Sequence, residues 1–325
     1  MKSTLPGGLR TNLVTIVVLV LPALMALQTV ETPRPALPIA ECVSPFGYTY
    51  SLAFFLVPVA AMLLWLRKQH ELGLEWRACR LTLAVLVTAG YLLDCLFGNT
   101  FFRFENQSAT LGVFLPGWDA GEGWKLNIPI EEFGFYLFGL MLAMVGYLWA
   151  DIYWLRAYHV EVDAGTEPLD KGQIGRQMQI AFASGLILIM GAVLYKSFGP
   201  HGFQDGFPGW FTFIVIVGVI PTLTLLPSIA SRVNWRAFQM TFLFITLVSV
   251  VWEVTLAVPY QWWGYRPEQM MGLMIGPWSN LPIEQPILWV LVTWQAVTSY
   301  EFARISLASR HPKGLRIARP ILAQG

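Results

Sequence analysis

The chain has 325 residues, of which 55% are hydrophobic and only 13% are charged. Soluble globular domains carry about 25% charged residues, so this composition is that of a membrane protein. The formal net charge of +1 excludes a protein that binds nucleic acid through a basic surface, and the 3 separated cysteines and 4 scattered histidines argue against a disulfide scaffold and a zinc site.

About eight apolar stretches are long enough to cross a hydrocarbon core of roughly 30 Å as helices. We therefore expect an all-α integral membrane protein. The first stretch follows Lys2 and Arg10, as the core of a signal peptide would, but no small-x-small cleavage site occurs before Thr32, which favours a retained span. In chain order, the predicted spans 1 to 8 are Asn12–Leu27, Tyr48–Leu66, Leu81–Phe97, Ile128–Ala150, Met178–Phe198, Phe207–Ile229, Phe238–Val258 and Leu281–Tyr300.

The basic residues between these spans indicate the orientation of the chain. Sixteen of the 21 Lys and Arg residues fall on the side that carries both termini, and five fall on the other side. Because cytoplasmic loops are enriched in Lys and Arg, we predict a multi-pass protein of the cell membrane with both termini in the cytoplasm. The loops between spans 3 and 4 and between spans 7 and 8 then face outward.

A short motif occurs twice and predicts an internal repeat. Residues 127–132 read NIPIEE and open span 4, and residues 280–285 read NLPIEQ and open span 8, 153 positions later. An offset of four spans places both copies on the same membrane face, so we expect two parallel four-helix repeats. The predicted organisation is a first membrane repeat at 1–150, a cytoplasmic loop at 151–177, a second membrane repeat at 178–302 and a basic cytoplasmic tail at 303–325.

Acidic residues cluster at the level of these motifs. Asp94 lies in span 3 and Glu253 in span 7, each one span before a motif, and an ionisable residue inside a span is a candidate functional residue by default. The alternative is that such acids are structural, and a glutamate in the first helical turn can simply cap the helix. We expect five carboxyls to converge on one outer-leaflet cavity and name them as candidate catalytic groups: Asp94, Glu131, Glu132, Glu253 and Glu284.

Aromatic residues accompany the acids, most densely in the run Gln261-Trp-Trp-Gly-Tyr265. Such residues often anchor a membrane protein at the lipid interface, which is the alternative here. Ring faces also stabilise a cation without capturing it, so aromatics beside protonatable carboxyls suit a reaction through a carbocation. The candidate substrate contacts are Asn127, Phe135, Tyr136, Trp252, Trp262, Trp263, Tyr265, Asn280 and Gln285.

Several other chemistries lack their motifs. The sequence has no DDxxD segment for magnesium and a diphosphate, no glycine-rich nucleotide loop and no GxSxG nucleophile. A Schiff-base lysine in the middle of a span is also missing, because Lys196 stands at the end of span 5. Proton-initiated chemistry on a neutral, lipid-soluble molecule remains, with no cofactor and no metal expected.

These motifs resemble the membrane-bound, non-flavin lycopene cyclase domain, which occurs as paired bacterial subunits and as fused archaeal and fungal forms. The second half carries the resemblance through Trp252-Glu253, the run at 261–265, Pro267, Gly272 and the stretch 281–284. In the first half, Asp94 and the stretch 128–133 are similar to the sister repeat. The likeness covers roughly 48–150 and 207–302 and is strong only around the motifs.

The resemblance implies an isomerase that cyclises the end group of a linear carotenoid to an ionone ring, with Glu131, Glu132 and Glu284 as catalytic acids. The family tends to have a second acid where this chain has Gln285, which cannot exchange a proton. Another linear terpenoid or an epoxide, converted by a cyclase or hydratase, is therefore an alternative substrate, and a proton-coupled transporter or carotenoid-binding subunit is an alternative function. The implied partners are the lipid-soluble substrate, membrane lipid and other enzymes of carotenoid synthesis.

Overall fold

The computed structural model describes residues 44–68, 75–162, 169–199 and 204–309, and this part of the chain is mostly helical. Six of its helices are long and apolar enough to cross a membrane, as expected for predicted spans 2 to 7 of a multi-pass membrane protein. Predicted span 1 lies outside the described residues. The six helices are α1 (Gly47–Lys68), α2 (Trp76–Phe101), α3 (Ile130–Trp154), α4 (Lys171–Phe198), α5 (Gly209–Arg232) and α6 (Trp235–Ala257).

A seventh long helix, α7 (Glu284–Ala308), lies where span 8 was predicted. Several helices begin before the apolar stretch that predicted them, because a polar residue caps their first turn. Asp170 accepts a hydrogen bond from Gly172 N at 2.8 Å at the start of α4. The Asn234 side chain accepts hydrogen bonds from the first backbone N–H groups of α6. These caps satisfy donors that have no partner within the helix.

Helices α3 and α7 form the centre of the bundle and pack against each other. Helix α3 also packs against α1, α2 and α6, and α7 also packs against α2, α5 and α6. Helix α4 lies against α5. A continuous core of buried apolar side chains joins α1, α2, α3, α6 and α7. Within it the rings of Phe55 and Trp289 stack in parallel, with centroids 6.0 Å apart.

Three small antiparallel sheets lie at one end of the bundle, which we call the hairpin end. We predicted loops here, and the structure forms short strands within them. Strand β1 pairs with β4, β2 with β3, and β5 with β6. The strands are β1 (Phe102–Arg103), β2 (Phe114–Asp119), β3 (Gly123–Pro129), β4 (Gly264–Tyr265), β5 (Met274–Ile275) and β6 (Leu281–Pro282).

The two long loops of the hairpin end are joined to each other and to the helices. The β1–β4 pair connects the loop after α2 with the loop after α6, with Phe102 opposite Tyr265. The buried Lys196 at the end of α4 donates hydrogen bonds to the backbone oxygens of Glu268 and Met270, both at 2.6 Å. The loops are therefore held as a cap over the ends of the helices.

A buried polar network closes the opposite end of the bundle. Tyr147 of α3 donates a hydrogen bond to Glu301 Oε1 at 2.8 Å, and Arg304 Nη2 lies 2.6 Å from Glu301 Oε2. Asp151 accepts a hydrogen bond from Asn234 Nδ2 at 2.8 Å. Arg304 falls within the predicted tail of 303–325, but α7 continues to Ala308 because this ion pair lies inside the bundle.

Candidate functional site

A small cavity lies beneath the cap at the hairpin end. Helices α1, α3, α5, α6 and α7 and the two long loops contribute its walls. Carboxyl groups come from two of the lining residues, and most of the others are aromatic. The residues that line it are Tyr48, Phe102, Phe104, Glu132, Phe135, Tyr136, Trp210, Glu253, Trp263, Gln285 and Leu288.

Glu132 reaches the cavity from the first turn of α3. Its side chain is buried, and Oε1 accepts a hydrogen bond from the Tyr48 hydroxyl at 2.7 Å. Tyr48 is itself fully buried in the first turn of α1, where its ring packs against Trp262 and Trp263. The tyrosine therefore holds one carboxylate oxygen of Glu132 in a fixed position.

Glu253 reaches the same cavity from α6, at the start of a π-helical turn that runs from Glu253 to Ala257. A π turn inserts one residue into the helical repeat and redirects the side chains around it, and such turns are frequent at functional sites. Ser279 Oγ donates a hydrogen bond to the Val254 carbonyl within this turn at 3.1 Å. Glu253 Oε2 is buried and has no hydrogen-bond partner within the described part of the chain.

Aromatic rings form a continuous wall beside the two carboxyls. Phe135 stacks on Trp252 with centroids 5.6 Å apart and an interplanar angle of 16°. The ring of Trp263 lies 5.1 Å from that of Trp252 and 5.2 Å from that of Tyr48. Because these rings are packed against one another, the wall is rigid and water has little room behind it.

Gln285 lines the cavity, and Tyr265, which is not a lining residue, bonds to it and to Trp263. The Tyr265 hydroxyl accepts hydrogen bonds from Gln285 Nε2 at 2.8 Å and from Trp263 Nε1 at 3.2 Å. Burial, with a further contribution from the Glu253 carboxyl, raises the pKa of Tyr265 well above its ordinary value. Tyr265 is therefore a neutral phenol at physiological pH and can orient its neighbours without taking up charge.

Glu131 and Glu284 make a different kind of contact. Glu131 Oε1 accepts hydrogen bonds from Leu111 N at 2.7 Å and from the Thr49 hydroxyl at 2.5 Å. Glu284 Oε1 accepts a hydrogen bond from Met271 N at 2.5 Å. Both carboxyls are buried, but neither is among the residues that line the cavity. Each one holds the loop that precedes its own helix.

The two loops also share a backbone hydrogen bond and a glycine at matching positions. Ile130 N donates to Val113 O at 2.9 Å, and Ile283 N donates to Leu273 O at 3.0 Å. In each loop a glycine follows the residue that bonds the glutamate, Gly112 with φ 73° and Gly272 with φ 89°. Glycine adopts this left-handed conformation without the steric cost of a Cβ.

Asp94 lies buried in α2, next to the hydroxyl of Tyr136, and does not itself line the cavity. Of the five carboxyls that the sequence predicted to meet, the structure brings Glu132 and Glu253 to the cavity. Asp94 stands behind the cavity wall that Tyr136 forms, and Glu131 and Glu284 support the loops.

Five predicted substrate contacts do not line the cavity. Trp252 and Tyr265 pack against or bond to lining residues, and the other three lie elsewhere. Asn127 sits at an irregularity of the β2–β3 pair and exchanges two side-chain hydrogen bonds with Asn99, at 3.0 and 2.7 Å. Asn280 is exposed in a turn with φ 57°. Trp262 stacks on the far side of Tyr48 at 5.8 Å and donates a hydrogen bond to Ser44 Oγ at 3.0 Å.

Some lining residues were not among the predicted site residues, namely Tyr48, Phe102, Phe104, Trp210 and Leu288. Tyr48 and Trp210 share a signal that the sequence contains: each is an aromatic residue in the first turn of a membrane-length helix at the hairpin end. An aromatic residue at that level commonly marks the lipid interface, so the signal alone does not distinguish a cavity wall from an anchor.

No family model, curated protein or solved structure matches this chain.

Proposed function

We propose that this protein is a membrane-bound cyclase that closes a ring at the end group of a linear carotenoid of the lycopene type. The observation that carries the proposal is the cavity, in which two carboxyls, Glu132 and Glu253, stand among aromatic rings. Carboxyls give and take protons, and ring faces stabilise positive charge without bonding to it. The lining combines these two carboxyls with seven aromatic side chains, which suits a neutral, apolar end group.

The reaction is an isomerisation without net oxidation or reduction. A protonated carboxyl donates its proton to the terminal double bond of the end group and leaves a tertiary carbocation. The next double bond along the chain attacks this cation, which closes the ring and moves the positive charge onto a ring carbon. A carboxylate then removes a proton from the carbon beside that charge, and the ring double bond forms. One proton enters and one leaves, so the composition of the substrate is unchanged.

In this proposal Glu132 and Glu253 are the catalytic pair of acid and base, with either order compatible with their positions. Phe135 and Trp263 shield the cation, and Trp252 packs against both rings. Glu131 and Glu284 are positioning residues, because the loops that they hold carry cavity-lining rings or their neighbours. Asp94 acts on the wall through Tyr136.

The proposed architecture is eight spans in two parallel repeats, in the cell membrane, with both termini in the cytoplasm. The matched contacts of Glu131 and Glu284, and the matched backbone hydrogen bonds of Ile130 and Ile283, support a duplication. The helix contacts support it as well. Helix α3 packs against α1 and α2 of its own repeat and against α6 of the other. Helix α7 likewise packs against α5 and α6 of its own repeat and against α2 of the other. The excess of Lys and Arg at the opposite end supports placing the hairpin end outside.

Hydration of the same cation is a second candidate. Within the described residues, Gln285 Oε1 and Glu253 Oε2 are buried without hydrogen-bond partners, and both residues line the cavity. Two such acceptors can hold a water molecule, and water that reaches the cation gives a tertiary alcohol in place of a ring. A linear terpenoid other than lycopene is compatible with the same walls.

The experiment is pigment analysis of lycopene-accumulating cells that express this chain. Cyclisation gives monocyclic or bicyclic carotenoids of unchanged mass, hydration gives products heavier by one water, and a transporter or binding subunit leaves lycopene unaltered. Chromatography with mass detection separates the three outcomes. The matched control is Glu105→Gln, which neutralises an exposed carboxyl of the first long loop outside the cavity and should leave the product profile unchanged. Unaltered lycopene in cells with normal membrane levels of the protein would refute both proposed chemistries for this substrate.

A further inference from the structure

The hairpin formed by β2 and β3 has two unlike faces. On one face, the cross-strand neighbours Trp118 and Trp124 meet edge to face with ring centroids 5.6 Å apart. Next to them, Pro116 lies opposite Leu126. Trp118, Trp124 and Leu126 are 41%, 56% and 72% exposed, respectively. This face is therefore apolar and uncovered by the rest of the described chain.

The other face packs against the protein. Gly117 is buried there, and a Cβ at this position would lie 2.5 Å from Asn99 Nδ2 and 2.6 Å from Ile128 Cδ1. The strand thus lies directly on the last turn of α2, where no side chain larger than hydrogen fits. The hairpin cannot rotate to bury its tryptophans without losing this contact.

Charged residues gather at the turn and beside the packed face. Lys125 Nζ lies 2.7 Å from Glu122 Oε2 and 3.7 Å from Asp119 Oδ2, and Arg266 Nη2 lies 3.9 Å from the same Asp119 oxygen. The hydrogen bond from Gly121 N, assisted by the Lys125 ammonium, lowers the pKa of Asp119 below its ordinary value. The turn is therefore charged at neutral pH and belongs in water.

Exposed apolar side chains also lie on the helices beside the hairpin. Strand β3 leads directly into α3, whose exposed Phe133 contacts Tyr91 of α2 with ring centroids 5.3 Å apart. Further along α2, Leu92 and Leu96 are 54% and 43% exposed. Exposed Leu111 lies in the same loop. Exposed apolar side chains thus occur on α2, on the first turn of α3 and on the hairpin that joins them.

We propose that the Trp118, Trp124 and Leu126 face of the hairpin lies in the interfacial layer of the lipid bilayer and anchors the hairpin end of the protein there. The hairpin stands at the ends of two membrane-length helices, which is the depth of the lipid headgroups. Tryptophan prefers this layer because its ring is apolar and its N–H can bond to headgroups or water. The charged turn remains in water on the far side. This inference concerns the membrane surface and does not depend on the proposed reaction.

The test measures lipid contact residue by residue. In a chain whose native cysteines are replaced by serine, single cysteines are introduced as Trp124→Cys, Leu126→Cys and, as the matched control in the exposed turn, Ala120→Cys. Each is labelled with an environment-sensitive fluorophore and placed in nanodiscs containing lipids with a quencher at the top of the acyl chain. We expect labels at 124 and 126 to shift to shorter wavelength and to lose much more fluorescence than the label at 120.

Weak quenching at positions 120, 124 and 126 alike would overturn the proposal, since it would place the whole hairpin in water. Strong quenching at all three would also overturn it, since the turn would then lie in lipid with the tryptophan face. Energy transfer between labels at 126 on two molecules, with no lipid quenching, would also overturn it and assign the face to a second copy of the chain. Trp118→Cys gives a second measurement on the same face if the Trp124 variant does not fold. Near-normal elution of each labelled protein on gel filtration establishes that a folded protein is being measured.

Discussion

The motif that opens α3 and the motif that opens α7 share one function in the fold and differ in another. In both, the first glutamate accepts a hydrogen bond from a backbone N–H of the preceding loop, Leu111 N for Glu131 and Met271 N for Glu284. At the next position the copies diverge. Glu132 accepts a hydrogen bond from a tyrosine hydroxyl, whereas Gln285 donates one to a tyrosine hydroxyl.

This comparison distinguishes the residues that hold the loops from the residues that can transfer a proton. A contact that is present in both copies is what a loop needs in order to stay in place, whichever reaction the cavity performs. The position that differs lines the cavity in both copies, as a carboxyl in one and an amide in the other. An amide cannot exchange a proton at neutral pH, so the cavity is chemically asymmetric although its loops are alike. Under the proposed function, proton transfer depends on Glu132 and Glu253.

The largest effect is expected from Glu132→Gln, which turns the first motif into a chemical copy of the second. The amide can still pair with Tyr48, so the protein should insert and fold normally, but it cannot donate or accept the proton. General acid or base catalysis contributes about 100-fold to 10,000-fold, and we expect product to fall by at least that lower factor. The measurement is product formed per unit of protein in isolated membranes.

Glu253→Gln should cause a loss of the same order, because the proposed pair needs both an acid and a base. The matched comparison is Glu131→Gln, which changes the adjacent carboxyl outside the cavity and should retain most of the turnover. If Glu131→Gln abolishes product while Glu132→Gln does not, the assignment of chemistry and support to these two positions is reversed.

A smaller effect is expected when the shared support is removed. Glu284→Ala leaves the partly buried Met271 N without its acceptor, which costs at most about 3 kcal/mol, whereas in Glu284→Gln the side-chain oxygen can still accept that bond. We expect the alanine variant to lower the thermal unfolding temperature and to speed amide exchange in the loop at 267–272. The glutamine variant should resemble the unchanged chain in both measurements. A glutamine variant that keeps its loop protected but forms no product would make Glu284 catalytic.

The sequence predicted the membrane class and the order of the helices because both depend on runs of apolar residues long enough to cross a bilayer. It also predicted which part of each helix carries the acids. It did not distinguish Glu131 from Glu132, because neighbouring residues in a first helical turn have the same local signal. Their different roles depend on which of them faces the preceding loop and which faces Tyr48. Leu111 in that loop is 20 residues from Glu131 in the chain, and Tyr48 is 84 residues from Glu132.

The strands and the π turn of α6 were also outside the reach of sequence patterns. Pairs such as Phe102 with Tyr265 join loops from different halves of the chain, so no local alternation marks them. The β1 and β4 strands have only 2 residues each, too few for a period of two to be visible. Prediction therefore succeeded where the signal is composition over a long segment and failed where the structure depends on tertiary contacts.

Substitution of the adjacent residues Trp262 and Trp263 compares a ring that packs outside the cavity with a ring that lines it. Trp263 lines the cavity and donates a hydrogen bond to Tyr265, whereas Trp262 stacks outside it on Tyr48. Replacement of Trp263 by Phe removes both the larger ring and a hydrogen bond of about 0.5 to 1.5 kcal/mol. We expect up to about tenfold less cyclised product, with part of the substrate diverted to hydrated product, because water reaches a less shielded cation.

Trp262→Phe should keep the product profile and lower only the unfolding temperature, since its hydrogen bond to Ser44 lies away from the reaction. The two variants are compared in membranes matched for protein amount, by chromatography and by thermal unfolding. Identical product profiles for both, indistinguishable from that of the unchanged chain, would remove Trp263 from the proposed set of cation-shielding residues.

The smallest effect is expected at Ser279, which sharpens a second comparison between the two halves. Asp94 lies in a regular α-helix, whereas Glu253 begins a π turn whose Val254 carbonyl accepts the Ser279 hydroxyl. Ser279→Ala removes this bond, worth about 0.5 to 1.5 kcal/mol, and should let the turn relax toward regular helix and carry Glu253 away from its present direction. We expect turnover to fall severalfold with little change in unfolding temperature. Ser309 also donates to a backbone carbonyl, that of Ser306, at the far end of α7. Ser309→Ala is therefore the matched control and should change neither quantity. If the Ser279→Ala and Ser309→Ala proteins turn over substrate at the same rate, the π turn holds Glu253 without help from this hydroxyl, and the difference between the two halves lies in α6 itself.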